Sequence, residues 1–131
     1  MSVIVVGYEN AIINYLRGAG APTAISAIYL DLYNGDPQGA GSSILSTITG
    51  SATRSSITSS LSAASGGSTS NPSTITVTAS AAGSATASYV ALFDAATAGN
   101  LVMSGPLTTP KSITAGDTVQ FNAAALSISI S

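Results

Sequence analysis

The sequence Tyr-Val-Ala-Leu-Phe at residues 89–93 is apolar at every position, so an extended chain here would carry apolar side chains on both faces. Such a strand is typical of the centre of a sheet or of an interface between molecules. Residues 27–33 alternate instead, with leucines and an isoleucine on one side and tyrosines and Asp31 on the other. This pattern predicts a strand with one face in the core.

Shorter strand patterns occupy much of the remaining chain. We predict them at 44–48, 54–61, 74–79, 101–104, 119–121 and 126–130. Turns are predicted at Gly105-Pro106 and at Gly116-Asp117, and a small-polar loop at 62–73. Buried side chains are predicted at Ile28, Leu30, Leu32, Ile75, Val77, Leu92, Val119, Phe121 and Ile128.

One helix precedes the strands. Apolar residues recur at helical spacing across 8–16, and Gly18, Gly20 and Pro22 then supply a stop signal. About seven short strands after one helix predict a mainly β chain, a single antiparallel β-sandwich or jelly-roll-like domain. We assign residues 1–20 to an N-terminal arm and helix, and residues 21–131 to the β domain.

The composition excludes most catalytic chemistry. The chain has no histidine and no cysteine, and charged residues make up only 6% of it, with a net charge of -2. Histidine bases, thiol nucleophiles, disulfides and thiolate metal sites are therefore excluded. Three cations cannot neutralise a nucleic-acid backbone, and no stretch is apolar enough to span a membrane. We expect no enzyme activity, no catalytic or cofactor-binding residues, no cofactor, no metal, no nucleic-acid partner and no membrane partner.

Three groups of residues could form functional sites, but a structural role explains each of them better. Lys111 and Ser112 could form a dyad, but neighbours in a strand point to opposite faces. Asp31 and Asp36 could flank a glycosidic bond, yet Asp36 stands in a Gly-Asp-Pro turn. The loop 94–100 supplies one carboxylate, whereas Ca²⁺ takes six to eight oxygens. We interpret all three as structural.

The shortage of charge predicts assembly. Soluble β proteins protect exposed strand edges with charged residues or proline, and this chain has few of either. We expect a homo-oligomer, with a trimer favoured. The apolar N-terminal run could extend its own sheet or contact a neighbour, and the strand at 89–93 could also face a partner. The candidate interface residues are Val3, Ile4, Val5, Val6, Tyr89 and Phe93.

Several segments resemble a family of small virion proteins of tailed bacteriophages, described as tail-fibre-like or as capsid decoration proteins. They are the helix at 8–16, the strand and turn Leu-Asp-Leu-Tyr-Asn-Gly-Asp-Pro at 30–37, and the stretches 90–101, 107–111 and 115–119. Arg54 matches an arginine that in relatives often follows a Gly-Tyr pair, although residues 50–53 lack that tyrosine.

The resemblance implies a virion structural protein without catalysis, located in the virion and assembled in the host cytoplasm. Fibres that reach a host are usually long and repetitive, and this chain shows no repeat. We therefore favour a capsid cement or decoration protein that binds between subunits of the major capsid protein. The alternatives are a tail-fibre, tail or baseplate component and, more remotely, a carbohydrate-binding β-sandwich module.

Overall fold

The computed structural model describes residues 3–4, 6–80 and 83–130, and these form a mainly β structure. Nine strands and two α-helices lie in this part of the chain, with a 3₁₀ turn at Thr58–Ser60. The elements in chain order are β1 Val3–Ile4, α1 Val6–Leu16, β2 Tyr29–Tyr33, α2 Leu45–Thr49, β3 Ser55–Ser56, β4 Ser68–Ser70, β5 Ile75–Thr78, β6 Ala85–Phe93, β7 Leu101–Ile113, β8 Thr118–Phe121 and β9 Ser127–Ser129.

The strands form one antiparallel sheet and two antiparallel strand pairs. The sheet has the order β1-β7-β6-β2-β3, and the pairs are β4-β9 and β5-β8. The apolar segment at 89–93 lies in β6, between β2 and β7, so its prediction as a central strand is confirmed. The mainly β class, the antiparallel sheets and the N-terminal helix are confirmed as well.

A single hydrophobic cluster joins the large sheet to both strand pairs, which gives a sandwich-like arrangement. Register places Leu30 opposite Leu92 and Leu32 opposite Val90, all on the sheet face that enters this cluster. The side chains predicted to be buried all belong to it or pack against it. Ile28 and Val77 are partly buried and pack against the cluster.

The predicted turn at Gly105-Pro106 is wrong, since β7 runs through both residues. Proline lacks an N–H for the ladder and is tolerated in a sheet mainly at edges and bulges. Here Pro106 lies opposite Tyr89, where the register shifts: the preceding pair is Ala87 with Lys111. The extra residues of β7 bulge out at this point, so the strand continues past its prolines.

The weak strand predicted at 44–48 is also wrong, because residues 45–49 form α2. Its β-branched residues favour a strand, but Leu45 and Ile48 are three positions apart and both reach the core from one helix face. Gly50, with φ 74°, ends the helix in the left-handed conformation that glycine adopts without strain.

Two further segments differ in part from their predictions. The strand predicted at 54–61 shrinks to β3 followed by the 3₁₀ turn, which still buries Ile57. The loop predicted at 62–73 contains β4, which pairs with β9. Ser-Thr-Ser at 68–70 carries no apolar side chain that could mark it as a strand.

Replacing Leu30 by alanine should lower the free energy of unfolding by about 2–5 kcal/mol, since Leu30 is 1% exposed and a cavity would remain. Urea denaturation followed by circular dichroism measures the loss. Ile130→Ala is the matched control, because Ile130 is 60% exposed. An equal loss in both variants would show that the core face is misassigned.

Candidate functional site

The side chain of Arg54 forms a buried ion pair with Asp31 in the middle of β2. The Arg54 Nε donates to the Asp31 Oδ2 at 2.8 Å, and the two side chains are 10% and 1% exposed. The Ser43 hydroxyl donates to the other carboxylate oxygen at 2.8 Å. Burying a carboxylate is costly unless charge and hydrogen bonds compensate it. Arg54 and Ser43 together provide that compensation.

Arg54 also holds the loop at 94–100 that joins β6 to β7. Its Nη1 donates to the carbonyl oxygens of Ala95 at 3.1 Å and Ala98 at 2.8 Å. Its guanidinium carbon lies 3.6 Å from the centroid of the Phe93 ring, which is a cation–π contact. A planar guanidinium can contact a carboxylate, carbonyls and a ring together, whereas a lysine ammonium is a single compact charge.

Asp94 closes the same loop from within. Its Oδ1 accepts the Asn100 backbone N–H at 2.7 Å, and its Oδ2 accepts the Asn100 side-chain amide at 2.9 Å. Gly99 has φ 73°, and a Cβ there would lie 2.6 Å from the Asp94 Oδ1, so this position requires glycine. The backbone and side-chain hydrogen bonds from Asn100 hold the pKa of Asp94 below its ordinary value of 3.8.

The carboxylate of Asp94 anchors helix α1. The Tyr8 hydroxyl donates to the Asp94 Oδ2 at 2.9 Å, and burial together with this neighbour raises the pKa of Tyr8. Ala11 and Ile12, on the same helix face, are partly buried. Two adjoining clefts of about 780 and 320 Å³ lie between α1, residues 22–26 and the start of β7. The smaller cleft is lined mostly by apolar side chains.

The last turns of α1 are not covered by the domain. Ile13, Tyr15 and Leu16 are 59%, 55% and 77% exposed. The helical spacing predicts an amphipathic helix whose apolar face includes Tyr15 and Leu16. Only the first part of that face, at Tyr8, Ala11 and Ile12, contacts the body of the protein. The outer part is an apolar surface.

The candidate interface residues fall in three places. Strand β1 pairs with β7 of its own chain, Val6 begins α1, and Val5 lies outside the described residues. Tyr89 is partly buried in β6. Phe93 is 7% exposed, beneath the guanidinium of Arg54. A role for these residues in contacts between molecules stays a prediction.

The other sequence candidates lie apart. Lys111 is exposed, and its Nζ donates to the Thr118 carbonyl oxygen at 3.4 Å, while Ser112 is exposed beside it. The Asp36 Oδ1 accepts the Gln38 backbone N–H at 2.9 Å, so its prediction as a turn residue is confirmed. Within the described ranges no group of three or more acidic, histidine or cysteine side chains could hold a metal ion.

Sequence reasoning missed the buried ion pair. Strand alternation places Asp31 opposite the core face, but Asp31 is 1% exposed, and Arg54 and Ser43 contact its carboxylate on that second face. One signal was present: a lone carboxylate in the middle of an apolar strand, in a chain with only three cations. Such a carboxylate requires a partner when buried.

A scan against protein-family models matches residues 5–129 to a family described as podophage GP4 fiber I protein gp80. The chain belongs to this family. The predicted resemblance to virion structural proteins of tailed phages is thereby confirmed, on the tail-fibre side. No curated protein matches the sequence. In the described part of the chain, no helix is both long and apolar enough to cross a membrane.

Replacing Arg54 by methionine should cost about 3–5 kcal/mol of unfolding free energy, because Asp31 would remain buried without its counter-charge. The double variant Asp31→Asn/Arg54→Met removes both charges and should recover part of this loss. Urea denaturation of the wild type, Arg54→Met, Asp31→Asn and the double variant measures the coupling energy between the two side chains. If the double variant were as unstable as the sum of the two single variants, the pair would carry no coupling energy.

The unfolding free energy should fall in acid in part through Asp94. Its pKa is lower in the folded state than the ordinary 3.8, so its contribution is present above that value and is lost as the pH falls through the folded pKa. Asp94→Asn should therefore lose less stability than the wild type between about pH 5 and pH 2. Thermal denaturation across this range measures both. Parallel acid profiles would contradict the role of Asp94.

Proposed function

We propose that this protein is a non-catalytic structural component of a phage tail fibre. The observation that carries the proposal is the family match over residues 5–129, almost the whole chain, to a family described as a fiber protein. The short sequence without repeats favours a role as a capsid cement protein. The family description fits the tail-fibre alternative better, and we adopt that alternative here.

The arrangement of polar groups supports a structural role. The Asp31 and Asp94 carboxylates and the Arg54 guanidinium are engaged in hydrogen bonds that hold strands, a loop and a helix together. A dyad of Lys111 with Ser112 has no such support, because the Lys111 amine is exposed. We propose that no reaction is catalysed. Reproducible turnover abolished by Lys111→Ala would overturn this part of the proposal.

We propose that the partners are other copies of this chain and another virion protein. The low charge and the apolar end of α1 support protein contacts. Binding to nucleic acid has little support, because Arg54 is buried in an ion pair and leaves Arg17 and Lys111 as the exposed cations. Assembly into the virion would take place in the host cytoplasm.

The proposal is tested by locating the protein on the particle. Gold-labelled antibodies against the recombinant chain should label the tail, and gel densitometry against the major capsid protein should give few copies per virion. The major capsid protein, labelled in the same experiment, is the control for shell staining. Label spread over the shell, with hundreds of copies per particle, would favour the cement function and contradict the fibre proposal.

A further inference from the structure

The exposed flank of α1 carries two opposite charges at equal spacing on either side of an apolar residue. Glu9, Ile13 and Arg17 follow one another at intervals of four residues. Arg17 comes directly after the end of α1, and its N–H still donates to the Ile13 carbonyl oxygen at 3.1 Å, so the three form one stripe with Leu16 beside it. All four are exposed, Leu16 at 77% and Ile13 at 59%. The stripe therefore reads, from one end to the other, as an acid, an apolar centre and a base. We call Glu9, Ile13, Leu16 and Arg17 the outer stripe.

We propose that the outer stripe binds the outer stripe of a second copy, in an antiparallel helix pair with Ile13 at the two-fold axis. Glu9 and Arg17 lie at equal distances on either side of Ile13, about 6 Å along the helix in each direction. An antiparallel pair centred there places each Glu9 opposite the partner's Arg17. A patch that is complementary to itself is what a two-fold interface requires.

Charge supports a second copy in this orientation over other arrangements. A parallel pair or trimer would place Glu9 beside Glu9 and Arg17 beside Arg17, and like charges in contact are unfavourable. The only ion pair among the described residues is Arg54 with Asp31, so Glu9 and Arg17 have no intrachain salt bridge there. The Arg17 Nε donates to the Asn14 Oδ1 at 2.8 Å, and the Arg17 residue is exposed.

The rest of the helix leaves this flank available. Tyr8 ties a different side of α1 to Asp94, and Ala11 and Ile12 on that side are partly buried. The helix is therefore held by one face while the outer stripe remains exposed. Pairing of the outer stripes does not depend on where the protein lies in the virion. The pairing proposal can therefore fail while the fibre proposal holds, and the fibre proposal can fail while the pairing proposal holds.

The test is a charge exchange measured by analytical ultracentrifugation over a range of concentrations. We expect a dimer whose dissociation constant rises about tenfold or more in Glu9→Arg and in Arg17→Glu, since each change turns two attractive contacts into repulsive ones. The double variant Glu9→Arg/Arg17→Glu restores opposite charges and should return to within about threefold of the wild type. Melting temperatures equal to that of the wild type, measured at a concentration low enough for every protein to be monomeric, show that all variants fold.

A cross-link gives an independent measurement. The chain has no cysteine, so Ile13→Cys introduces a single thiol, which should form an intermolecular disulfide rapidly under mild oxidation. Ser46→Cys, on the exposed side of α2, is the matched control and should cross-link slowly. A monomer at all concentrations, a double variant no better than the single ones, or equal cross-linking of both thiols would overturn the proposal.

Discussion

The buried contact between Arg54 and Asp31 is the constraint on which the other features of this fold depend. One guanidinium neutralises a carboxylate in β2, lies on the Phe93 ring at the end of β6 and donates hydrogen bonds to two carbonyl oxygens of the loop at 94–100. The loop ordered in this way contains Asp94, which binds the Tyr8 hydroxyl of α1. A continuous series of contacts therefore leads from the centre of the sheet to the exposed helix.

Because one arginine makes several contacts, a chain with only 6% charged residues can still specify one fold. Over half of its residues are Ser, Thr, Ala or Gly, which contribute little apolar burial each. Hydrogen bonds of buried polar side chains therefore help to specify the fold. Asn71, which is fully buried, donates to the carbonyls of Ser73, Phe121 and Asn122 and accepts the Leu126 N–H, so it joins the two smaller strand pairs. No buried side-chain nitrogen or oxygen among the described residues lacks a partner.

The elements that could be predicted from sequence are those with a strong apolar period. Helix α1, β2, β5 and the central strand β6 follow from local spacing. The errors arise where distant residues decide the structure. Strand β7 continues past Pro106 because its register against β6 shifts there, and α2 buries Leu45 and Ile48 from one helix face. The ion pair was missed for the same reason, since Arg54 and Asp31 are 23 residues apart and no local pattern joins them. The exposure of Tyr15 and Leu16 depends on where the domain surface ends, which periodicity does not encode.

The central claim is that Arg54 orders the loop at 94–100 and thereby the contact of Asp94 with Tyr8 that holds α1. Hydrogen–deuterium exchange of Arg54→Lys tests it most directly, because lysine retains the charge opposite Asp31 but cannot reach the carboxylate and both loop carbonyls together. We predict faster exchange in residues 94–100 and in α1, with exchange in α2 and β5 unchanged. Faster exchange confined to β2 and β3, with the loop and α1 as protected as in the wild type, would contradict the account.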